Sequence, residues 1–460
     1  MALRPPSSLI AVSVLCWLMA LQILLSFLWG AASGEGPMSI VLQSLALAII
    51  PLAIWIWLTP GARPPAFALA LLALVVVTPL VQLIPLPVEV WTRLPMRARV
   101  VEMMQAAGLP LTAMPLSLTP GKTWDGFLWL LPPTALFLGA AVLDLRQRLW
   151  LTWVLVLVLA ASVGLAALQI SSGYARIFQM YGDVHGLLPI GFFANRNHQA
   201  AALAVGLPMM AATTMIWRRS LNVQWTLPQL VFVGLLAMFV TGILITTSRA
   251  GLGVGAMGIA ASLAIYLLGS RNQGGFKGQP WWLLAIAILV VVIVQIAVGA
   301  VLARFDTIAD EGRFVIWPTV MTMARDAMPA GTGVGSFTVI YDAYEPISDL
   351  SASWVNEAHN EFLQQLLETG VIFPVLFVGF LVWVGSRLMA LRPSRDWNYA
   401  ALTWASVAAM SILMVASFAD YPLRTAALGC VFAVLCALLT PLQSLEGAGR
   451  KTRRRSAGNT

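Results

Sequence analysis

Apolar runs long enough to cross a bilayer recur from one end of this chain to the other, and that recurrence leaves few folds open. A span needs roughly 20 mostly apolar residues, and a backbone inside hydrocarbon must satisfy its own hydrogen bonds, which a helix does. Such runs fall at 9–30, 38–58, 65–84, 124–143, 149–170, 197–217, 228–247, 250–269, 281–303, 361–385, 398–417 and 422–441. They predict an all-α polytopic membrane protein of about 12 transmembrane helices. The first run precedes a cleavable-looking Ala31-Ala32-Ser33-Gly34. It exceeds the roughly 7–15 residues of a secretory apolar core, so it reads as helix one. Charged residues make up only 10% of the chain, against about 25% in soluble domains, which excludes a string of soluble domains. Trp29, Trp57, Trp91, Trp124, Trp150 and Trp217 stand at run ends, as an interfacial aromatic belt requires.

Charge sets the orientation. With the N-terminus inside, the inner loops and both termini hold 16 of the 27 basic residues and only 3 of the 19 acidic ones. That is the positive-inside bias, and it predicts both termini on the cytoplasmic side. The net charge of +8 therefore marks helix ends rather than a nucleic-acid surface, and no nucleic-acid partner is expected. The organisation expected is one transmembrane domain over 1–441, followed by a basic cytoplasmic tail at 442–460. Three outer segments stand out, at 85–123, 171–196 and 304–360, the last a long, partly helical loop between helices 9 and 10. Segments of this length are usually functional or disordered; these keep Trp, Tyr, Phe and paired charges, which predicts order. Cys16, Cys430 and Cys436 fall inside apolar runs and read as small buried hydrophobes.

Polar chemistry gathers at outer helix ends. Asn195-Arg196-Asn197-His198 opens one span, and Ser248-Arg249-Ala250-Gly251 makes a minimal turn between two others. Gly312-Arg313 begins an amphipathic stretch, and Glu357-Ala358-His359-Asn360-Glu361 enters the span at 361–385. Asp420-Tyr421-Pro422-Leu423-Arg424 forms the last outer turn. Arginines on the outer side oppose the charge bias, so Arg196, Arg249 and Arg424 ask for an anionic partner; the guanidinium fork suits a phosphate. His359 is one of three histidines, with His185 and His198; flanking Glu357 and Glu361 would raise its basicity, and imidazole titrates near neutral pH. Gly331-x-Gly333-x-Gly335 lacks the strand and the Lys-Ser/Thr of a nucleotide loop and reads as a turn. Asp306, Asp310 and Glu311 form no Asp-x-Asp pair, and the histidines lack i, i+4 spacing, so no metal site is expected.

Taken in order, these blocks resemble the O-antigen ligase and polymerase superfamily of bacterial inner-membrane glycosyltransferases. The resemblance is strongest from Gly191 to Gly370, through Phe-x-Asn-Arg-Asn, Ser-Arg-Ala-Gly, Gly-Arg-x-x-x-Trp, Gly-x-Gly-x-Phe and Ala-His-Asn-Glu-Phe-Leu-Gln-x-x-x-Glu-x-Gly. It implies a GT-C-like fold in the bacterial inner membrane with its active site facing the periplasm. It also implies a donor glycan carried on a polyprenyl diphosphate, and no metal or other cofactor. By position, Arg196, Arg249 and Arg313 match the arginines expected to grip the diphosphate, and His359 matches the residue expected to activate the acceptor hydroxyl. Glu357 is expected to orient His359. Asn195, Asn197, Asn360, Asp420 and Tyr421 are expected contacts to glycan or acceptor. The acceptor is lipid A core for a ligase and the growing polysaccharide for a polymerase, and the shared motifs leave the two open. A twelve-helix transporter or lipid-linked oligosaccharide flippase is the reading from another class. Such proteins place ionisable residues near the bilayer midplane, whereas the span interiors here are almost free of charge.

Overall fold

The computed structural model describes residues 6–34, 36, 38–58, 64–181, 188–221, 227–271, 312–347, 354–392 and 396–442. The expected span at 281–303, most of the basic tail, His185, and Asp306, Asp310 and Glu311 lie outside them. The first helices are α1 (Pro6–Trp29), α2 (Ser39–Trp57) and α3 (Ala66–Gln82). The outer segment at 85–123 holds two short helices, α4 (Val88–Trp91) and α5 (Ala98–Ala106), and begins α6 (Pro120–Trp129). Then follow α7 (Leu131–Ala141), α8 (Leu145–Ser171), α9 (Arg196–Leu221), α10 (Leu227–Ile245) and α11 (Arg249–Arg271). After the undescribed stretch come α12 (Gly312–Ala327), α13 (Phe337–Tyr344), α14 (Glu361–Thr369), α15 (Ile372–Met389), α16 (Trp397–Ala416) and α17 (Ala426–Leu439).

Among the described residues, eight helices are long and apolar enough to cross a membrane: α1, α2, α8, α9, α10, α11, α15 and α16. The shorter apolar helices α3 and α17 add to them. The chain is thus a multi-pass, all-α membrane protein. Among the described residues, one two-stranded sheet pairs Pro85–Leu86 antiparallel with Met114–Pro115 across the outer segment, with Pro85 opposite Pro115. Trp91, fully buried, donates its indole N–H to Thr112 O at 2.9 Å.

Two expected spans are not single helices. The run at 124–143 is divided between α6 and α7, where Pro132 and Pro133 occupy the first turn of α7, the place where a missing N–H does least harm. The run at 361–385 breaks at Gly370, whose φ of 56° ends α14. The following N–H, of Val371, turns away to Pro329 O at 3.0 Å. The reason is charge: α14 buries Glu361 and Glu368, which a lipid-facing span would not tolerate.

α9 is the axis of the bundle, with nearly its whole length buried against α8, α10, α11 and α16. Its small residues allow that approach: a Cβ added at Gly258 of α11 would stand 2.7 Å from Ala204 O. α1 also belongs to the core, with Leu15, Met19, Ile23 and Phe27 essentially inaccessible. α15 is the opposite case, with one fully buried residue, Trp383, and with Val375, Val378, Leu381 and Val382 exposed.

Candidate active site

Helix ends create the site. Asn195 precedes α9, Ser248 precedes α11, and Asp420 follows α16, so three chain reversals meet at one end of the bundle. Asp420, 2% exposed, is the hub. Its Oδ2 accepts from Asn195 Nδ2 at 3.1 Å and from Asn197 Nδ2 at 2.6 Å. Its Oδ1 lies 3.1 Å from His359 Nδ1 and accepts from the Tyr421 backbone N–H at 3.1 Å. His198 Nε2 approaches the same oxygen to 3.7 Å, and the His198 and His359 rings both pack edge-on against Tyr421. Burial alone would raise Asp420, but the charges and hydrogen bonds of His198 and His359 hold it well below the usual carboxylate range. An ionised carboxylate beside Nδ1 fixes the His359 tautomer with its proton there and leaves the Nε2 lone pair available. The ring is 30% exposed. The His359 backbone sits at φ 49°, a left-handed conformation costly for a residue with a Cβ and typical of side chains held for function.

The arginines are placed by these same turns. Arg196 opens α9 between Asn195 and Asn197, both bound to Asp420. Arg249 opens α11 directly after Ser248, whose hydroxyl donates to Asn197 Oδ1 at 2.6 Å and accepts from Gly251 N–H at 2.8 Å. Two helix N-termini and two arginines therefore lie beside the Asp420 network, an arrangement favourable to anions. Arg313 lies in the first turn of α12. That helix is tied to the His359 segment by Trp317 Nε1, which donates to Ala358 O at 3.1 Å.

Glu357 does not contact His359; it accepts from Gln364 Nε2 and faces Arg424 Nε at 3.7 Å. Asp420, and not the expected Glu357, stands at His359 Nδ1. Asn195, Asn197, Asn360 and Tyr421, expected as ligand contacts, also have partners within the protein. Asn360 Oδ1 caps α14 by accepting from Leu363 N–H at 3.1 Å, and the Tyr421 hydroxyl accepts from Asn356 at 3.2 Å. Asn195 and Asn197 are spent on Asp420, on Ser248 and on the Asn197 backbone N–H.

Arg424, which as a sequence feature asked for an anion, finds it within the protein. It donates twice to Glu368, at 3.2 and 2.9 Å, and its Nε lies 3.4 Å from Glu361 Oε1. Burial opposes its charge, but Glu368, Glu357 and Glu361 outweigh that and raise its pKa. One guanidinium cannot serve three carboxylates equally. Burial pushes Glu357 up to about 7 and Glu361 up to about 6, with Arg424 pulling both down and the neighbouring glutamates adding to the rise. Gln364 is the residue that sequence reasoning missed: it donates to Glu357 and Glu368 and accepts from the Ala358 N–H at 2.9 Å. Its only signal is its i+3 and i+7 spacing from Glu361 and Glu357 on the amphipathic α14.

The fold and site define a multi-pass helical membrane protein with a carboxylate–histidine pair and two arginine-bearing helix N-termini at one end of its bundle. Residues 233–384 match the family described as O-antigen ligase, and this match supports assignment to the O-antigen ligase superfamily. The matched stretch runs from α10 through most of α15 and includes Arg249, Arg313, Glu357 and His359; Arg196 and Asp420 join it through the fold. No curated protein matches the chain significantly. The family supports a ligase- or polymerase-like function in polysaccharide assembly.

Proposed function

We propose that this protein transfers a glycan from a polyprenyl diphosphate to an acceptor hydroxyl, in the manner of an O-antigen ligase, at the periplasmic face of the bacterial inner membrane. The observation that carries the reading is the Asp420–His359 pair, with the imidazole 30% exposed and the N-termini of α9 and α11 beside it. His359 Nε2 takes the proton of the attacking hydroxyl as its oxygen bonds to the anomeric carbon. The bond from that carbon to the diphosphate oxygen breaks, and the configuration inverts. Asp420 holds the imidazole and stabilises the imidazolium that forms. General-base help of this kind contributes on the order of 10²–10⁴-fold in rate. Arg196, Arg249 and Arg313 meet the charge growing on the diphosphate, each donor contributing a few kcal/mol. That leaving group is good enough to need neither a metal nor a covalent intermediate.

Arg249→Lys tests the phosphate role, because it keeps the charge and loses the fork. Transfer is expected to fall at least about tenfold with the protein still folded, in line with the loss of a charge-assisted hydrogen bond; a near-normal rate would remove Arg249 from the site. Ligase and polymerase are separated by a deletion strain. Polymer of normal length left unattached to its acceptor indicates a ligase, and loss of polymer indicates a polymerase.

A further inference from the structure

Beside α14 lies a cavity of about 400 Å³ between α3, α7, α15 and α17. That volume falls in the range of small-molecule sites. Leu71, Val75, Phe377, Phe380 and Phe432 form its apolar walls. It runs along α15 at least from Phe373 to Trp383, about 15 Å at 1.5 Å per residue, or roughly half of a ~30 Å hydrocarbon core. Its outer wall, α15, is the least buried of the candidate spans, so the cavity adjoins the helix with most surface left for lipid.

Only one end is polar. There Glu361 and Ser417 line the cavity, and Glu361 N–H donates to Ser417 O at 2.9 Å. Glu361 Oε2 and Ser417 Oγ are buried without a hydrogen-bond partner among the described residues. Gln365, one helical turn on, hydrogen-bonds the Glu361 carboxyl and also lines the cavity. Buried polar atoms rarely stay unpaired, and each such vacancy costs free energy. The charge here is settled as well. Arg424, the cation of this cluster, is engaged by Glu368, Glu361 and Glu357, so a further anion would meet an excess of carboxylates.

We propose that this cavity binds a single-leaflet lipid whose hydrocarbon chain lies along α15 and whose uncharged, hydroxyl-bearing head hydrogen-bonds Glu361 Oε2 and Ser417 Oγ. A hydroxyl suits both sites, since it donates to a carboxylate and exchanges donor and acceptor roles with a serine. The same chemistry excludes the diphosphate carrier, assigned above to Arg196, Arg249 and Arg313.

The test is photolabelling of the full chain in phosphatidylcholine nanodiscs, followed by peptide mapping. One probe is an alkyl glucoside with a diazirine in its chain, the other an alkyl phosphate with the same chain. The glucoside is expected to label α15 and α17 around Phe377 and Phe432, and the phosphate several-fold less. Gly429→Leu fills the cavity from α17, where an added Cβ meets only Leu423 O at 3.4 Å, and is expected to cut this labelling about tenfold, as loss of the contact predicts. Ala433→Phe, on the same wall, does the same should Gly429→Leu fold poorly. Glu361→Gln narrows the difference between the two probes. Equal or stronger labelling by the phosphate would overturn the proposal in favour of an anionic lipid, and labelling indifferent to both filling variants would mean annular lipid only. None of these results depends on transfer.

Discussion

The two ends of the bundle each bury an arginine, and they treat it differently. Arg148, fully buried near the start of α8, is held by neutral oxygens. It donates to Leu143 O at 3.0 Å, to Ala141 O at 3.1 Å and to Thr440 through its backbone O at 2.8 Å and its Oγ1 at 2.9 Å. These are oxygens at the C-terminal ends of α7 and α17, where unpaired carbonyls and the helix dipole both favour a cation. Arg424, at the other end, is held by carboxylates that outnumber it. The first arrangement is saturated and has nothing left to offer a ligand. The second keeps titratable groups and unpaired oxygens next to Asp420 and His359. A buried charge marks a working site only when its surroundings are left electrically or sterically incomplete.

The largest effect is expected from Asp420→Asn, which preserves shape but removes the charge facing His359. Turnover should fall on the order of 10²–10⁴-fold, with a smaller change in acceptor KM. A mutant that turns over normally would reduce Asp420 to scaffolding and erase the contrast between the two ends.

Arg424→Met comes next. It strands Glu357, Glu361 and Glu368 without a cation, a class of change that costs about 3–5 kcal/mol, visible as a lower midpoint of thermal unfolding in nanodiscs. Adding Glu357→Gln and Glu361→Gln should recover part of the loss. No recovery would mean that Arg424 acts by packing alone.

Arg148→Lys is expected to be milder, because an ammonium can satisfy some but not all of the same carbonyls; the cost is about 1–3 kcal/mol. It should lower stability and leave the transfer rate per folded molecule unchanged. A selective loss of activity would show the two ends to be coupled.

The smallest effect is a dependence on pH. Glu357, raised to about 7, and Glu361, raised to about 6, hold protons in the folded protein that the unfolded chain, with carboxyls near 4.5, has already released. Their protonation therefore favours folding fully below pH 4.5, and the benefit is lost as pH rises through 6 to 7. Asp420 is depressed and acts in the opposite sense, its benefit being lost only in stronger acid. Unfolding midpoints should fall between pH 4.5 and 7 in the wild type and less steeply in Glu357→Gln. Identical slopes would place the titration elsewhere.

Long apolar runs were legible because membrane insertion writes them into composition, and the ends of α2, α8, α10 and α16 lie within a few residues of where hydropathy puts them. The break at Gly370 was hidden because α14 is apolar on one face and continues directly into α15; the cation that partners its buried glutamates, Arg424, lies 56 residues beyond Glu368. His359 stood out by its rarity and its place at a helix entry. Its partner did not, because Asp420 lies 61 positions beyond His359 with no periodicity that pairs them, whereas Glu357 lies close in sequence. Asn195 and Asn197 were visible as polar residues opening a helix. Whether their amides faced a ligand or Asp420 depended on a turn that α16 alone brings there.

The central claim is that His359, held by Asp420, activates the hydroxyl that receives the glycan. Its most direct test is single-turnover transfer by purified protein in nanodiscs, with a lipid-diphosphate-linked oligosaccharide, a hydroxyl acceptor and EDTA, comparing wild type with His359→Ala. The account predicts transfer by the wild type in EDTA and a loss on the order of 10²–10⁴-fold in the folded variant. Transfer by folded His359→Ala at the wild-type rate would contradict it.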